Sequence, residues 1–191
     1  MTKSKKVLRT ILVAGVLCAL AALATFSAFS SQTDNPGNTV TAGTVALTDN
    51  DSGTAAYNMP NAKPGASSAP FCIRVAYSGS LDSDVKLFTP STVGALGPYV
   101  NLKVETGSQG TPNTDCTGFS ADSTLFNASL DTFPTSYAGG VLDSGPGAAT
   151  KWVNTDAVVY RVTATMSAST PDASQAATTG AHTIRFEARN Q

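Results

Sequence analysis

Hydrophobic and polar positions alternate with a period of two along four stretches of the chain, which is the pattern of β-strands with one buried face. The stretches are 71–77, 100–105, 158–166 and 183–188. Their apolar positions are Phe71, Ile73, Val75 and Tyr77, then Val100, Leu102 and Val104, then Val158, Tyr160, Val162, Ala164 and Met166, and finally Ile184, Phe186 and Ala188. Because the opposite positions are mostly polar, we expect antiparallel strands with their other face in water.

Weaker alternation predicts four further strands, at 39–47, 54–58, 85–88 and 123–130. The stretch 121–133 has room for one helical turn. Asp, Asn, Ser, Gly and Pro cluster where turns are predicted, at 49–53, 63–65, 78–80 and 143–147. Two longer polar loops are predicted at 108–118 and 167–181. About eight short strands without a βαβ rhythm predict the all-β class and a sandwich of two sheets.

The first 27 residues have the composition of a secretory signal peptide. Basic residues, the last of them Arg9, precede an apolar core at about 11–24 that carries no charge. Thr25 and Ser27 supply the small side chains that a signal peptidase needs just before its cut. The sequence therefore predicts cleavage between Ser27 and Ala28, which leaves one mature domain, 28–191.

Two other features of the leader bear on this prediction. The apolar core is short for a membrane span, which needs about 20 residues. Including Phe26 to Phe29 nearly reaches that length, so an uncleaved N-terminal anchor is the alternative, and it would be the chain's one contact with a membrane. Cys18 suggests a lipoprotein, but Leu17 precedes it where lipidation requires a small residue. We therefore interpret Cys18 as an apolar filler.

Composition narrows the possible partners. Cleavage would leave eight basic and thirteen acidic residues, a net charge of −5. A chain with this charge is a poor partner for nucleic acid or for an anionic membrane surface. The mature part is rich in Thr, Ser, Ala, Gly and Asn, which favours strands and turns over helices.

Cys72 and Cys116 are the two cysteines that remain after cleavage. An even pair in an oxidising compartment predicts a disulfide, and two buried free thiols are the alternative. Closing so long a loop would stabilise the fold by up to about 4 kcal/mol in the chain-entropy model.

The sequence offers little catalytic chemistry. His182 is the single histidine, so a Ser-His-Asp device would have to use it, and a His-Glu-x-x-His zinc site would need a second one. The run 49–53 begins like a calcium loop, but Gly53 comes one position early and Pro60 stands where the closing glutamate is needed. We therefore predict no catalytic residue, no metal site and no cofactor. His182 is interpreted as a strand-end residue and 49–53 as a turn, with weak calcium binding as the alternative.

Three stretches, taken in order along the chain, share the sequence pattern of one family. They are the leader junction 25–29 with the threonine-rich run 38–47, the turn 59–65 with the strand and turn 71–81, and the closing run 182–191. On these stretches the chain resembles the TasA/camelysin family of secreted bacterial matrix proteins. Val40 stands where the family has phenylalanine, the cysteine pair is not part of its pattern, and 85–151 carries no resemblance.

The resemblance implies a jelly-roll-like antiparallel β-sandwich, leader removal by a SipW-type signal peptidase, and a place in the extracellular matrix or at the cell surface. Some relatives form head-to-tail homopolymers by donor-strand exchange, in which the new N-terminal segment completes the next subunit's sheet. Segment 28–38 suits that role because it carries one charge, Asp34, and runs directly into a predicted strand. A frayed terminus is the alternative interpretation.

Three functional hypotheses follow. The first is a secreted structural protein of the biofilm matrix that self-associates into fibres. The second is a metallopeptidase, the class in which camelysin-type relatives are placed, although one histidine and scattered acids make a poor zinc site. The third is a surface adhesin or binding module that displays loops 108–118 and 167–181 from a rigid sandwich.

Overall fold

The computed structural model describes residues 7, 9–17, 37, 39–147 and 150–190. The chain divides into two units, Met1–Thr41 and Ala42–Gln191. In the first unit, residues 9–17 form an exposed helix. No helix within the described ranges is long and apolar enough to cross a membrane.

Several predictions about the N-terminal region fall on residues outside the described ranges. These residues include Cys18, Ser27 and Ala28, and all of 28–38 except Gly37. The cleavage site and the donor-strand segment therefore stay predictions.

The second unit is an antiparallel β-sandwich, which confirms the fold class predicted from the alternation. Its described strands are β1 (Leu47–Thr48), β2 (Phe71–Tyr77), β3 (Asp84–Phe88), β4 (Val100–Gln109), β5 (Phe119–Ser129), β6 (Val141–Asp143), β7 (Ala157–Met166) and β8 (Arg185–Arg189). Three short 3-10 helices lie between them, at Gly97–Tyr99, Leu130–Thr132 and Asp172–Ser174. The second of these is the helical turn predicted within 121–133.

The strands form two sheets. The larger has the order β1-β2-β7-β4-β5 and the smaller the order β6-β3-β8. Every pairing is antiparallel, and β7 is the central strand of the larger sheet, where Val162 lies opposite both Phe71 and Val104. The register therefore brings apolar side chains from β2, β7 and β4 into one layer that faces the smaller sheet.

The core between the sheets is built from the apolar sets that the alternation predicts. Its buried members include Ile73, Val75 and Tyr77 from β2, Val85 and Leu87 from β3, Leu102 and Val104 from β4, and Val158, Tyr160, Val162 and Ala164 from β7. Trp152, from the loop before β7, is also completely buried. Each large side chain of this kind contributes about 1.5–3 kcal/mol when it leaves water, so this layer dominates the stability of the sandwich.

A buried carboxylate ties the two sheets together. Asp143, on β6 of the smaller sheet, is 5% exposed and accepts a hydrogen bond from the hydroxyl of Tyr160, on β7 of the larger sheet. Its other carboxylate oxygen accepts the Gly145 amide at 3.0 Å, and its carbonyl accepts the indole N–H of Trp152 at 3.0 Å. A buried charge is tolerated only when it is hydrogen-bonded, so these contacts fix the turn after β6 against the core.

The strongly alternating stretches are all strands, although the last begins at Arg185 rather than at residue 183. Of the weaker stretches, 85–88 lies in β3 and 123–130 lies largely in β5. The prediction for 39–47 holds only at Leu47, where β1 begins. The chain before β1 nevertheless runs beside 78–80, because the carbonyls of Ala46 and Thr44 accept the amides of Ser78 and Ser80 at 2.9 and 3.0 Å.

Two predictions are wrong. Residues 54–58 form no strand, because the neighbouring residues Ala56 and Tyr57 both pack against the core, which a strand with alternating faces cannot achieve. The outward face of the larger sheet is also not uniformly wet, since Cys72 is 0% and Val159 is 6% exposed. At Cys72, a loop from the far side of the sheet is attached by a disulfide.

The hydrogen bond between Tyr160 and Asp143, which joins the two sheets, predicts a change in the free energy of unfolding. Replacing Tyr160 by Phe removes the hydroxyl that Asp143 accepts and leaves a buried carboxylate short of one donor, so we expect a loss of about 1–3 kcal/mol. Urea unfolding measures the change. Tyr99→Phe is the matched control, because the Tyr99 hydroxyl makes no hydrogen bond within the described residues. Equal stability of the two variants would contradict the role given to Asp143.

Candidate functional site

The edge of β2 that faces away from β7 carries a row of backbone donors, and four different groups close it. The amides of Ser80 and Ser78 bond the carbonyls of Thr44 and Ala46, as described above, and β1 pairs with Ala76 and Tyr77. Further along, the Arg74 amide donates to the Asn50 side-chain oxygen at 2.7 Å. The Cys72 amide donates to the Thr114 carbonyl at 3.0 Å.

The Thr114 carbonyl, which accepts the Cys72 amide, belongs to a loop that begins on the far side of the larger sheet. Residues 110–118, here called the crossing loop, join β4 to β5, and β7 separates those strands from β2. The loop reaches β2 through a disulfide between Cys72 and Cys116, the pair predicted from the sequence, with their Cα atoms 5.1 Å apart. Strand order therefore requires the loop to cross β7, and its disulfide and the Thr114 carbonyl both attach it at Cys72.

Side chains at the base of the crossing loop set its shape. The Gln109 side-chain amide donates to the Asn113 side-chain oxygen at 2.8 Å and to the Thr117 carbonyl at 2.9 Å, while its oxygen accepts the Asn113 amide at 3.1 Å. Asp115 is exposed, and the hydrogen bonds that it accepts from Thr117 lower the pKa of its carboxyl. These contacts lie within the loop, whereas the disulfide and the Thr114 carbonyl attach it to β2.

An ion pair lies on the outer face of the larger sheet, next to Phe119 at the start of β5. The Arg161 guanidinium on β7 bonds Glu105 on β4 through Nε at 2.8 Å and Nη2 at 2.7 Å, and the Lys103 ammonium reaches Glu105 at 2.7 Å. The Phe119 ring lies 4.7 Å from the Arg161 guanidinium carbon. Gly107 makes room for this ring, because an added Cβ would collide with Phe119 and with the carbonyl of Ser120.

Two opposing effects act on the Glu105 carboxyl. Its burial alone would raise its pKa, but the hydrogen bonds and charges of Lys103 and Arg161 outweigh burial and hold the pKa below its ordinary value. Because the charged form is favoured in the folded state, Glu105 stabilises the fold at neutral pH.

His182 lies just before β8 and is hydrogen-bonded to a half-buried tyrosine, Tyr57. Its Nδ1 is 3.0 Å from the Gly180 carbonyl oxygen, which can only accept, so Nδ1 carries the proton and Nε2 accepts the Tyr57 hydroxyl. Burial raises the pKa of Tyr57 to about 12. This pairing anchors the segment around Tyr57 to the chain that enters β8, in agreement with the interpretation of His182 as a strand-end residue.

The turn 49–53 uses its polar side chains for its own backbone. Asp49 accepts the Asp51 amide at 3.3 Å, and Asp51 accepts the Gly53 amide at 2.7 Å, where Gly53 takes a φ of 75° that favours glycine. Burial, a hydrogen bond to Asp49 and its charge raise the pKa of Asp51, although the Gly53 amide lowers it. Within the described ranges, no group of three or more His, Cys, Asp or Glu side chains is placed to hold a metal ion.

Three other strands are sheet edges, and they differ in regularity. β5 pairs only with β4, and its register shifts beside Val104/Glu105 and again beside Thr106/Gly107, which marks two bulges. β6 is three residues long. Within the part of the chain that the structure describes, β8 pairs with β3 alone, over five residues in unbroken register from Arg185 to Arg189. Bulged and short edges resist strand addition, so β8 is the most regular edge among the described strands.

The structure thus joins the predicted cysteines, whereas Ser27 and Ala28 lie outside the described ranges. Sequence reasoning missed the ion pair of Glu105 with Arg161. Both positions lie in the alternating strands on the face opposite the core, so each was visible as an outward charge. The signal for their pairing is the β4–β7 register, in which Glu105 lies opposite Arg161.

A scan against protein-family models and a search of the curated proteins found no match to this chain. The fold and the contacts above therefore rest on its own residues.

The disulfide predicts a second stability change. Cys72→Ala with Cys116→Ala removes the closure of a sequence separation of 44 residues, so we expect a loss of up to about 4 kcal/mol. Hydrogen exchange should show that the backbone amide at position 72 loses protection in this variant, because its acceptor, the Thr114 carbonyl, belongs to the released loop. The Ser78 and Ser80 amides are the internal control and keep their protection. Unchanged protection at Cys72 would contradict attachment of the loop by the disulfide.

The lowered pKa of Glu105 predicts a loss of stability in acid. The stabilisation is complete above the ordinary glutamate pKa of 4.5 and is lost as the pH falls through the lower folded-state value. Glu105→Gln should cost about 2 kcal/mol at pH 7 and lose less stability between pH 5 and 2 than the wild type. Urea unfolding across this range measures both. Parallel pH profiles for the two proteins would refute the assignment.

Proposed function

We propose that the chain is a secreted structural protein of a bacterial extracellular or biofilm matrix, of the TasA/camelysin type, which self-associates through its sheet edges. The observation that carries the proposal is the contrast among those edges. Among the described strands, the β2 edge is closed, β5 is bulged and β6 is short, whereas β8 is regular and pairs on one side only. An unpaired regular edge is a template for an extended segment of another chain.

The disulfide and the contacts of the charged side chains support a structural role outside the cell. The disulfide of Cys72 with Cys116 suits an oxidising compartment. The side chains that carry charge in the core and on the outer face are engaged in holding strands together, as Asp143 and Glu105 illustrate. His182 is likewise committed to Tyr57.

The proposed assembly needs a donor segment as well as an acceptor edge. A SipW-type peptidase would cut before Ala28 and free segment 28–38 for addition to a second copy. Within the described residues, no backbone hydrogen bond outside the sheet joins β8 to a neighbouring segment. An extended donor would therefore meet unpaired main-chain groups there. Such addition is head-to-tail and does not close on itself, so it produces filaments.

Deleting residues 28–37 from the mature protein tests the assembly. We expect the protein that begins at Ala28 to form concentration-dependent polymers in sedimentation, visible as filaments by electron microscopy, and the shortened protein to remain monomeric. The matched control scrambles 28–37 without changing its composition, which separates the segment's sequence from its length.

An acceptor variant gives an independent test. Glu187→Pro, on β8, introduces the residue that natural edge strands use against pairing. Urea unfolding first establishes that the variant folds, and polymerisation is then measured with wild-type protein as the donor. A strictly monomeric mature protein at every concentration and pH would refute the fibre proposal, and polymers unaffected by both changes would refute the donor-strand route.

A further inference from the structure

The outer face of the smaller sheet carries half of the basic residues of the second unit. The register of β3 with β8 places Lys86 opposite Glu187, Phe88 opposite Arg185 and Asp84 opposite Arg189. The alternate residues of β3, Val85 and Leu87, face the core, so these six lie on the face away from it. Lys151 joins this face through its ion pair with Asp84 at 2.8 Å. The four cations Lys86, Lys151, Arg185 and Arg189 are called the basic face below.

Two cations of the basic face, Lys86 and Arg185, have no carboxylate partner among the described residues. Asp84 is engaged by Lys151, and Glu187 is engaged by Arg189 at 2.6 Å. Within the described residues, no carboxylate lies within 4 Å of the Lys86 ammonium or the Arg185 guanidinium. Among the described residues, the basic face therefore carries a surplus of two positive charges, Lys86 on β3 and Arg185 on the adjacent strand β8.

Aromatic rings hold these cations in place. The Tyr137 ring lies 5.0 Å from the Lys86 ammonium and 4.1 Å from the Arg189 guanidinium carbon, so one ring is shared by cations from two strands. The Arg185 guanidinium carbon lies 5.8 Å from the Phe88 ring. Cation–π contacts of this kind restrict the side chains before any ligand arrives, which lowers the entropy lost on binding.

The remainder of the second unit has the opposite charge. Apart from the basic face and its two carboxylates, the described residues from Ala42 onward contain four basic and ten acidic side chains. Such asymmetry concentrates attraction for anions on one face and repels them elsewhere.

From these observations we propose that the basic face binds an acidic polysaccharide, a linear polymer with spaced carboxylates. Cations that are spread over β3, β8 and the loop before β7 suit a chain that lies across the sheet rather than a small ligand. Nucleic acid fits less well, because its dense phosphates, one charge per about 1.7 Å of duplex, would extend past the small face onto acidic surface. The inference rests on the extracellular location in the proposed function, but it does not depend on fibre formation.

The experiment uses the folded, monomeric domain beginning at Ala42 and polygalacturonate as the probe, with dextran as the uncharged comparison. Ala42–Gln191 is a compact unit that contains all eight described strands, and circular dichroism and sedimentation first establish that it is folded and monomeric in isolation. We expect polygalacturonate binding that weakens with salt, and no dextran binding. Lys86→Gln with Arg185→Gln should weaken it roughly tenfold at low salt and reduce the slope of log affinity against log salt by about one to two.

The matched control is Lys63→Gln with Arg74→Gln, which makes the same charge change at two cations that are not on the basic face and have no ion pair within the described residues. Near wild-type affinity for this control, and recovery in a Lys86→Arg variant, would support the site. If both double variants weakened polygalacturonate binding equally, the loss would come from the change in net charge alone, and the proposal would be overturned.

Three other results would overturn it as well. They are absence of salt-dependent binding to polygalacturonate, tighter binding to a DNA duplex of equal charge, and salt-sensitive dimers in sedimentation that Lys86→Gln abolishes. The last two would assign the face to nucleic acid or to a second copy of the chain. Because the domain lacks the donor segment, an absence of polygalacturonate binding would not contradict the fibre proposal. Conversely, polygalacturonate binding can be measured even if the mature protein does not polymerise.

Discussion

The buried carboxylate of Asp143 is the constraint on which the arrangement of the two sheets depends. Hydrophobic contact brings the sheets together, but it does not choose one position along a smooth apolar layer. Asp143 fixes the relative position of the sheets, because its carboxylate oxygens accept hydrogen bonds from the Tyr160 hydroxyl of the opposite sheet and from the Gly145 amide of the adjacent turn at the same time. The backbone carbonyl of Asp143 accepts the indole N–H of Trp152, so the loop before β7 is placed by the requirement that buried polar groups find hydrogen-bond partners.

A second requirement, that main-chain donors at sheet edges find partners, explains the less regular parts of the fold. β1 is too short to cover β2, and the rest of that edge is closed by the side chain of Asn50 and the carbonyl of Thr114. Neither group belongs to a strand. The turn 49–53 and the crossing loop therefore act as parts of the sheet, although they look like connections in the sequence.

The sequence predicted the elements that depend on local alternation and missed those that depend on distant partners. β2 and β7 alternate over seven and ten residues because one face is buried, so their strands and core positions were evident. β6 is three residues long and has no measurable period, and the segment around Tyr57 is held by His182, which is 125 residues away. The pairing of Cys72 with Cys116 was predicted from number and compartment, but the route of the crossing loop depends on strand order, which alternation does not encode.

The disulfide has a mechanical consequence. It encloses most of β2, all of β3 and all of β4 in a covalent ring, because Cys72 and Cys116 are separated by 44 positions in the chain. A molecule under tension from its two ends cannot release that ring, so about 150 Å of contour length is withheld from extension. Force instead passes through Cys72 and Cys116 directly, and the strands between them bear little load even if the sandwich around them yields.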